Sequence, residues 1–385
     1  MTNTTKLLKI AIYISELDVV GGTHKQVLRL AQYLSSAGHD VVIFTNCYKP
    51  DKTYVEFKNI QISHIGINLN KSKSKIISII YGLKNQFDLF LRSKNYDIVN
   101  VHDNRGVFFL LLHKFIANNK IIWQINDLDP SFHIGTAKNY RGKLDWLRKY
   151  FARVAGKVAN EITVNVTKNA ERVASKFNRL ATVVYCGVDH NPIRKVKPDF
   201  SNDIRVVSTG VLFRYRNYET LISSAAIYKE QFHRNIIIDI IGDINHDVIY
   251  YEELIKLSSK LNVSVNFRGA ISQSELVSVY ENAHIFAFLN MDQSWGLAVF
   301  EAASTGLPVL LSESVGAIEL LSNIDGVIVV NPRSESQISD AINSIMFNEH
   351  QYDYFSKNVA AAVTNMNWDD MYSKRIEQKM RDLCK

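Results

Sequence analysis

The chain has 385 residues, of which 46% are hydrophobic and 22% charged, so its composition is that of a globular protein of about two domains and excludes a disordered chain. Its formal net charge of +7 predicts an anionic partner, a requirement that a nucleotide, an acidic lipid or a nucleic acid would satisfy. Three scattered cysteines exclude a disulfide framework and favour a reducing compartment. Lys6–Ser15 has the alternating pattern of a first strand rather than of a signal peptide, and no apolar run is long enough to span a bilayer. We therefore expect a cytoplasmic protein.

Short apolar runs rich in β-branched residues alternate with helical periods in the first half of the chain. The predicted strands are Lys9–Ser15, Val41–Thr45, Ile60–Ile65, Asp97–His102, Lys120–Ile125, Glu161–Val164 and Thr182–Tyr185. The predicted helices between them include Thr23–Ala37, Lys75–Arg92 and Tyr140–Val158. Strands interleaved with helices predict a parallel sheet with right-handed crossovers.

The second half repeats this alternation. Its predicted strands are Ile204–Ser208, Ile236–Ile241, Val263–Arg268, Ile285–Leu289, Val309–Leu311 and Gly326–Val330. Its predicted helices are Asn217–Glu230, Tyr250–Leu261, Gln273–Asn282, Phe300–Thr305 and Ser336–Phe347. The fold class is therefore α/β, with two Rossmann-like parallel-sheet domains that face each other across a cleft, and ligands are expected at the carboxyl ends of the strands.

The domain boundary is predicted from composition. Residues 190–203 contain Pro192 and Pro198 and lack apolar periodicity, which is typical of a linker. The domains are then 1–189 and 204–368. The last residues, 369–385, are predicted to form an amphipathic helix that packs back toward the N-terminal domain.

The segment Phe286–Leu311 has the strongest functional pattern. A strand is followed by an irregular loop, and a helix is expected to start just before Glu301. A carboxylate there can accept two hydroxyl hydrogen bonds, which suits a ribose diol, and the amides of Gly296, Leu297 and Ala298 can meet diphosphate oxygens. The alternative is that Glu301 only benefits from the helix dipole.

This segment resembles the signature of the retaining GT-B glycosyltransferases of family 4, in which a Glu–seven residues–Glu motif precedes a Gly-x-Pro-Val strand. Other segments match the family in order: Gly21-Gly22 before a helix, Ala37–Val41, Gly187–Asp189, Gly210 with Arg216-Asn217, and Gly316–Glu319. The resemblance implies a GT-B architecture with a C-terminal domain that binds a nucleotide diphosphate sugar and an N-terminal domain that binds the acceptor. It also implies transfer with retention at the anomeric carbon.

Two departures from the family pattern concern the donor site. Gln293 stands where the family has its first Glu, and an amide binds sugar hydroxyls but cannot accept a proton. Val211 stands where the family has a phosphate-binding Arg. Arg216 matches the family's Lys, and Arg214 is a candidate replacement for the missing cation, its alternative being a solvated loop charge.

The N-terminal domain carries further candidates, of which Asn126 would face the donor sugar and Gly21, Gly22, His102 and Asp127 the acceptor. Asn126 and Asp127 follow a strand at the position where the family commonly has His-Asp, and Asn there favours a mannose-type donor; the alternative is a capping residue. Gly21 and Gly22 allow the backbone to approach a phosphate or the acceptor, or simply form a tight turn. His102 matches a family histidine that lines the acceptor side.

Two basic stretches favour contact with an anionic surface. Lys138–Lys157 combines seven cations with an apolar face, and Lys71–Lys75 precedes an apolar pair. Basic amphipathic helices bind anionic membranes, so we expect peripheral binding to the inner face of the plasma membrane and a polyprenol-linked or other glycan acceptor. The alternative is ordinary core packing with solvated lysines.

The sequence thus predicts a retaining hexosyltransferase that uses a GDP- or UDP-sugar, with GDP-mannose favoured, in cell-surface polysaccharide synthesis. Arg216 and Arg214 would hold the phosphates, Glu301 the ribose, and Gln293 with Asn126 the sugar. No Asp-x-Asp cluster is placed to bind a metal-bound diphosphate, so no metal and no other cofactor is expected. A nucleotide-sugar epimerase and a catalytically silent sugar-nucleotide-binding partner remain as alternatives. A nucleic-acid partner is not expected, because no helix-turn-helix or zinc pattern is present.

Overall fold

A computed structural model describes residues 6–18, 21–54, 56–57, 59–65, 75–102, 107–117, 119–126, 145–194, 199–200 and 203–385. The chain divides into two compact units. Unit 1 contains residues 1–187 together with 368–385, and unit 2 contains residues 188–367. Among the helices of the described ranges, none is both long enough and apolar enough to cross a bilayer.

Unit 1 is built on a seven-stranded parallel sheet with the order β5-β3-β1-β6-β7-β8-β9. Its strands, with the short β2 and β4 that pair separately, are β1 Lys9–Tyr13, β2 Glu16–Leu17, β3 Asp40–Thr45, β4 Cys47–Tyr48, β5 Gln61–His64, β6 Ile98–Val101, β7 Lys120–Ile125, β8 Glu161–Val164 and β9 Thr182–Val183. Its helices before the second unit are α1 Gly22–Ser36, α2 Lys75–Ser93, α3 Val107–Ile116, α4 Asp145–Val158 and α5 Thr167–Phe177. The central strands are buried on both faces, which explains why their sequences are continuous apolar runs.

Unit 2 contains a six-stranded parallel sheet with the order β12-β11-β10-β13-β14-β15. Its strands are β10 Ile204–Thr209, β11 Ile236–Ile241, β12 Ser264–Gly269, β13 Ile285–Phe288, β14 Val309–Ser312 and β15 Val327–Val330. Its helices are α6 Tyr218–Phe232, α7 Val248–Leu261, α8 Gln273–Asn282, α9 Leu297–Ser304, α10 Ile318–Leu321, α11 Glu335–Ile345 and α12 Glu349–Val363. This strand order is that of a Rossmann domain, and the chain reverses direction across the sheet between β10 and β13.

The predicted α/β class and its strands are confirmed, with ends that shift by one or two residues. One helix start was wrong: α9 begins at Leu297 instead of Phe300, because Gly296 adopts a left-handed conformation (φ 88°) and caps the helix there. Four helices were not among the predicted ones: α3, α5, α10 and α12. Most residues of α5 are partly or fully exposed, and only Asn169, Val173 and Phe177 are buried, so the helix buries just two large apolar side chains.

The C-terminal residues return to unit 1. A π turn at Asp369–Ser373 leads into α13, Lys374–Leu383. Glu377 accepts hydrogen bonds from Tyr33 (2.9 Å), from His39 Nε2 (3.1 Å) and from Arg381 Nε (2.8 Å). Burial opposes ionisation of Glu377, but these three donors lower the pKa of its carboxyl.

Burial and the Glu377 carboxylate together raise the pKa of Tyr33 to about 12. The phenol therefore stays protonated and donates its hydrogen bond at neutral pH. The last helix is thus held on α1 by a largely buried carboxylate whose hydrogen bonds come from three different side chains.

Candidate active site

The carboxyl edge of the unit 2 sheet brings several loops together at the switch point between β10 and β13. The loop after β10 contains Gly210 and a 3-10 turn at Arg214–Arg216. The loop after β13 contains Asn290 and Gln293. Loops that flank a switch point form the usual ligand crevice of open α/β sheets.

Gly210 lies directly beneath the Arg216 side chain. A Cβ atom at Gly210 would be 2.5 Å from Cζ of Arg216, so only glycine allows the guanidinium to occupy this place. The neighbouring Gly242, after β11, approaches the same loop, and a Cβ there would be 2.0 Å from the Gly210 carbonyl oxygen. The two glycines therefore set the position of Arg216 by close packing of backbone.

Arg216 is a partly buried cation with neutral neighbours. Its Nη1 donates to Gln293 Oε1 at 3.1 Å. Its Cζ lies 5.2 Å from the centroid of the Tyr215 ring and 5.5 Å from that of Phe288, distances typical of cation–π contacts. Its buried Nε has no hydrogen-bond partner in the described ranges, and no carboxylate there forms an ion pair with it.

Gln293 is fixed by three loops. Its side-chain oxygen also accepts from Asn290 Nδ2. Its backbone oxygen accepts from the Gly316 amide at 3.0 Å, and it forms a β-bridge with Val315. The Gly316 turn that resembles the family's glycine motif thus supports the residue that replaces the family's first Glu.

Asn217 connects the β10 loop to the loops after β13 and β15 by hydrogen bonds. It was not predicted from the sequence as a site residue. It adopts a left-handed conformation (φ 60°) at the start of α6 and is 5% exposed. Its Nδ2 donates to the carbonyl oxygens of Leu289 (3.3 Å) and Pro332 (2.6 Å). Asn tolerates this backbone region, and its place next to Arg216, in a segment that resembles the family, was the signal that could have identified it.

Glu301 lies in the second turn of α9, not in the first as predicted. Asn191 Nδ2 donates to its backbone oxygen at 3.2 Å. Its carboxylate is close enough to Tyr280 to affect the phenol, since burial and then the Glu301 charge raise the pKa of Tyr280. The amides of Leu297 and Ala298 open the helix, in the position expected for binding an anion.

Arg214 is not brought to Gln293. Its guanidinium forms a bidentate pair with Glu253 on α7 (2.7 and 3.0 Å), lies 3.8 Å from Asp247 and packs over the Tyr250 ring. Its side chain is 56% exposed. A role in phosphate binding stays a prediction, and it would require this exposed pair to open.

Asn126, in unit 1, belongs to a chain of hydrogen-bonded side chains. Thr163 donates to Gln124 Oε1 (2.6 Å), Gln124 Nε2 donates to Asn126 Oδ1 (3.1 Å), and Asn126 Nδ2 donates to Thr23 (3.4 Å). Thr23 follows Gly22 in the first turn of α1, so the structure places Asn126 beside the glycine turn of Gly21-Gly22. Asp127 lies outside the described residues.

His102 follows β6 and is 3% exposed. Its Nε2 lies 2.7 Å from Asn100 Oδ1, and Asn100 Nδ2 donates to the Ile122 carbonyl, so His102 carries its proton on Nε2. Burial lowers the pKa of His102 to about 3. The ring is therefore neutral at physiological pH and cannot serve there as an imidazolium acid.

The predicted basic stretches fall partly outside the described residues, which include neither 66–74 nor 127–144. The described part of Lys138–Lys157 is α4, where Tyr150 is 57% exposed. Helix α2 exposes large apolar side chains at helical spacing: Ile80, Leu83, Phe87 and Leu91.

Two family models match consecutive parts of the chain. The model described as Glycosyltransferase Family 4 matches residues 20–191, and the one described as Glycosyl transferases group 1 matches residues 189–361. A curated relative, the O-antigen chain mannosyltransferase RfbU of Salmonella typhimurium, is 24% identical over 189 residues, which are 48% of this chain and 50% of the relative. The chain thus spans about half the length of this relative.

Solved structures of similar fold cover almost the whole chain. A sucrose-phosphate synthase from Thermosynechococcus elongatus superimposes with a TM-score of 0.81 at 16% identity, over 98% of this chain and 99% of that one. HepE of Anabaena, in complex with UDP and glucose, gives a TM-score of 0.77 at 16% identity, over 97% and 100%. Both likenesses show the fold.

The predicted GT-B fold class and the predicted family are confirmed by these matches. The two family models join at the junction of the two α/β units and together account for residues 20–361. The chain belongs to the family 4, or group 1, glycosyltransferases.

Proposed function

We propose that this enzyme transfers a hexosyl group with retention from a nucleoside diphosphate sugar to a glycan or a polyprenol-linked glycan, in the synthesis of a cell-surface polysaccharide. The observation that carries the proposal is the position of Arg216 at the switch point, beside the backbone of Gly210 and Gly242. Among the described residues no carboxylate pairs with this cation. HepE, which shares the fold, binds UDP and glucose.

Arg216 and the first amides of α9 would bind the diphosphate. The leaving group gains negative charge as the bond from the sugar C1 to the phosphate oxygen breaks, so a fixed guanidinium and fixed N–H groups stabilise the transition state more than the ground state. We propose that these groups neutralise the diphosphate without a metal ion. Glu301 would accept hydrogen bonds from the ribose hydroxyls.

Retention follows from attack on the face that the diphosphate leaves. The acceptor oxygen forms a bond to C1 while the C1–phosphate bond breaks, and the departing phosphate oxygen takes the proton of the acceptor hydroxyl. Gln293 cannot accept a proton, which is consistent with a step in which no protein base is required.

Among donors we favour GDP-mannose over a UDP-sugar. Asn126 stands at the position where the resemblance associates Asn with mannosyl donors, and its carboxamide can bind sugar hydroxyls. RfbU is named a mannosyltransferase, which supports the same choice.

A series of thermal-unfolding measurements with UDP, GDP, ADP and CMP, first without metal and then with Mg²⁺, tests the donor site. A nucleotide at about 100 times its Kd adds roughly 2.7 kcal/mol to the free energy of unfolding. We expect GDP to raise the Tm of the wild type without metal and to raise that of Glu301→Ala much less. Glu349→Ala, which removes an exposed carboxylate from the first turn of another helix, is the matched control and should respond like the wild type.

If none of the four nucleotides raises the Tm, the proposed donor site is wrong. A shift that is equal in Glu301→Ala and the wild type would remove Glu301 from the site. A shift with GDP but no transfer to any acceptor and no sugar release would favour a silent binding protein.

We also propose peripheral contact of unit 1 with an anionic membrane surface. The exposed apolar side chains of α2 would enter the interfacial layer of the membrane. Neighbouring cations such as Lys84 and Arg92 would face acidic headgroups, and each would contribute about 1 kcal/mol to the free energy of binding. Co-sedimentation should rise with the fraction of anionic lipid in the liposomes. Binding that does not depend on anionic lipid, or no binding at all, would contradict the proposal.

A further inference from the structure

The two arginines of the β10 loop differ in the charge of their partners. Arg214 faces two carboxylates, those of Glu253 and Asp247, so its charge is compensated within the unit. Arg216 has only an amide oxygen and two aromatic rings around its guanidinium in the described part of the chain. Of these two arginines, Arg216 is therefore the one whose positive charge is available to a ligand.

The orientation of the Gln293 amide follows from its two partners. A guanidinium has only donors, so the amide atom that faces Arg216 must be the oxygen. Asn290, which is 2% exposed, directs its Nδ2 to the same oxygen. Because both donors converge on Oε1, the amide is fixed and holds Arg216 with a neutral acceptor.

We propose that Gln293 is a positioning residue whose neutrality leaves the full charge of Arg216 to the diphosphate. This inference rests on the proposed function and names what determines the charge of that site. A carboxylate in the same place would hold the guanidinium equally well in space, but it would form an ion pair that offers a dianion much less net attraction.

The sequence supports a balance of charge at the site. Val211 and Gln293 are neutral where the resembling family has an Arg and a Glu, so one cation and one anion are lost together. The loop keeps one uncompensated positive charge, that of Arg216. A glutamate at 293 without a second cation would upset this balance.

The test compares Gln293→Glu, which is almost isosteric, with the wild type and with the double variant Val211→Arg/Gln293→Glu. Isothermal titration calorimetry would measure Kd for GDP and UDP and for the uncharged guanosine and uridine. We expect Gln293→Glu to weaken binding of the diphosphate about 10- to 100-fold, as an added charge a few ångströms away should, and to leave nucleoside binding unchanged. The double variant should regain most of the loss.

Gln231→Glu adds the same charge at the far end of α6 and retains the oxygen that accepts from Ser339; it should bind like the wild type. Equal diphosphate affinity in Gln293→Glu and the wild type would overturn the inference, as would equal weakening of diphosphate and nucleoside, or a double variant no better than Gln293→Glu. Failure of the wild type to bind either diphosphate would instead overturn the proposed function.

Discussion

Arg216→Ala is expected to lower kcat/KM for sugar transfer by about two to three orders of magnitude, the loss found when one preorganised transition-state donor is removed. The guanidinium lies over Gly210, and the other cation of the same turn, Arg214, is paired with Glu253. Steady-state kinetics with the donor identified by thermal unfolding would measure the loss.

Arg214→Ala is the matched control, two residues away in the same turn. Its exposed pair with Glu253 is expected to contribute little to stability, and we expect less than about a threefold change in kcat/KM. A loss as large as that of Arg216→Ala would mean that the Arg214–Glu253 pair opens on binding and that Arg214 replaces the cation missing at Val211. A change within about threefold for Arg216→Ala would contradict the role of Arg216.

Gly242→Ala is expected to destabilise the protein by about 3 kcal/mol or more, because a Cβ would lie 2.0 Å from the Gly210 carbonyl oxygen at a residue with φ 153°. The three atoms nearest to that Cβ, in Gly210 and Val211, all belong to the backbone, so the β10 and β11 loops must move apart. For a unit of this size the Tm should fall by several degrees, at roughly 2–4 °C per kcal/mol. Thermal unfolding followed by circular dichroism measures this.

Gly269→Ala separates steric conflict from backbone conformation. Gly269 also has positive φ (68°), but a Cβ there meets no heavy atom within 4 Å. We expect only the left-handed penalty of about 1–2 kcal/mol. Equal losses in the two variants would show that the close approach of Gly242 to Gly210 is not what constrains the loops.

The central strands were predictable because they are apolar runs that become buried on both faces of a parallel sheet, which leaves a clear pattern. The start of α9 was not, since Gly296 ends the loop by adopting a left-handed conformation that the sequence alone does not indicate. The ion pair of Arg214 with Glu253 was not predictable either, because the two residues are 39 positions apart in the sequence and only the fold brings them together. Gln293 was recognised from its spacing to Glu301, but its tie to Asn290 and Arg216 depends on loops from different strands.

The return of residues 368–385 to unit 1 has a consequence for the order of folding during synthesis. Unit 2 occupies a continuous stretch, 188–367, so all its strands leave the ribosome before the helix that completes unit 1. Until then Tyr33 and His39 lack the carboxylate of Glu377, and the surface of α1 that α13 covers is exposed to other proteins. Since domains fold largely as they emerge, unit 2 can complete its sheet first, and the earliest part of the nascent chain is the last to reach its final packing.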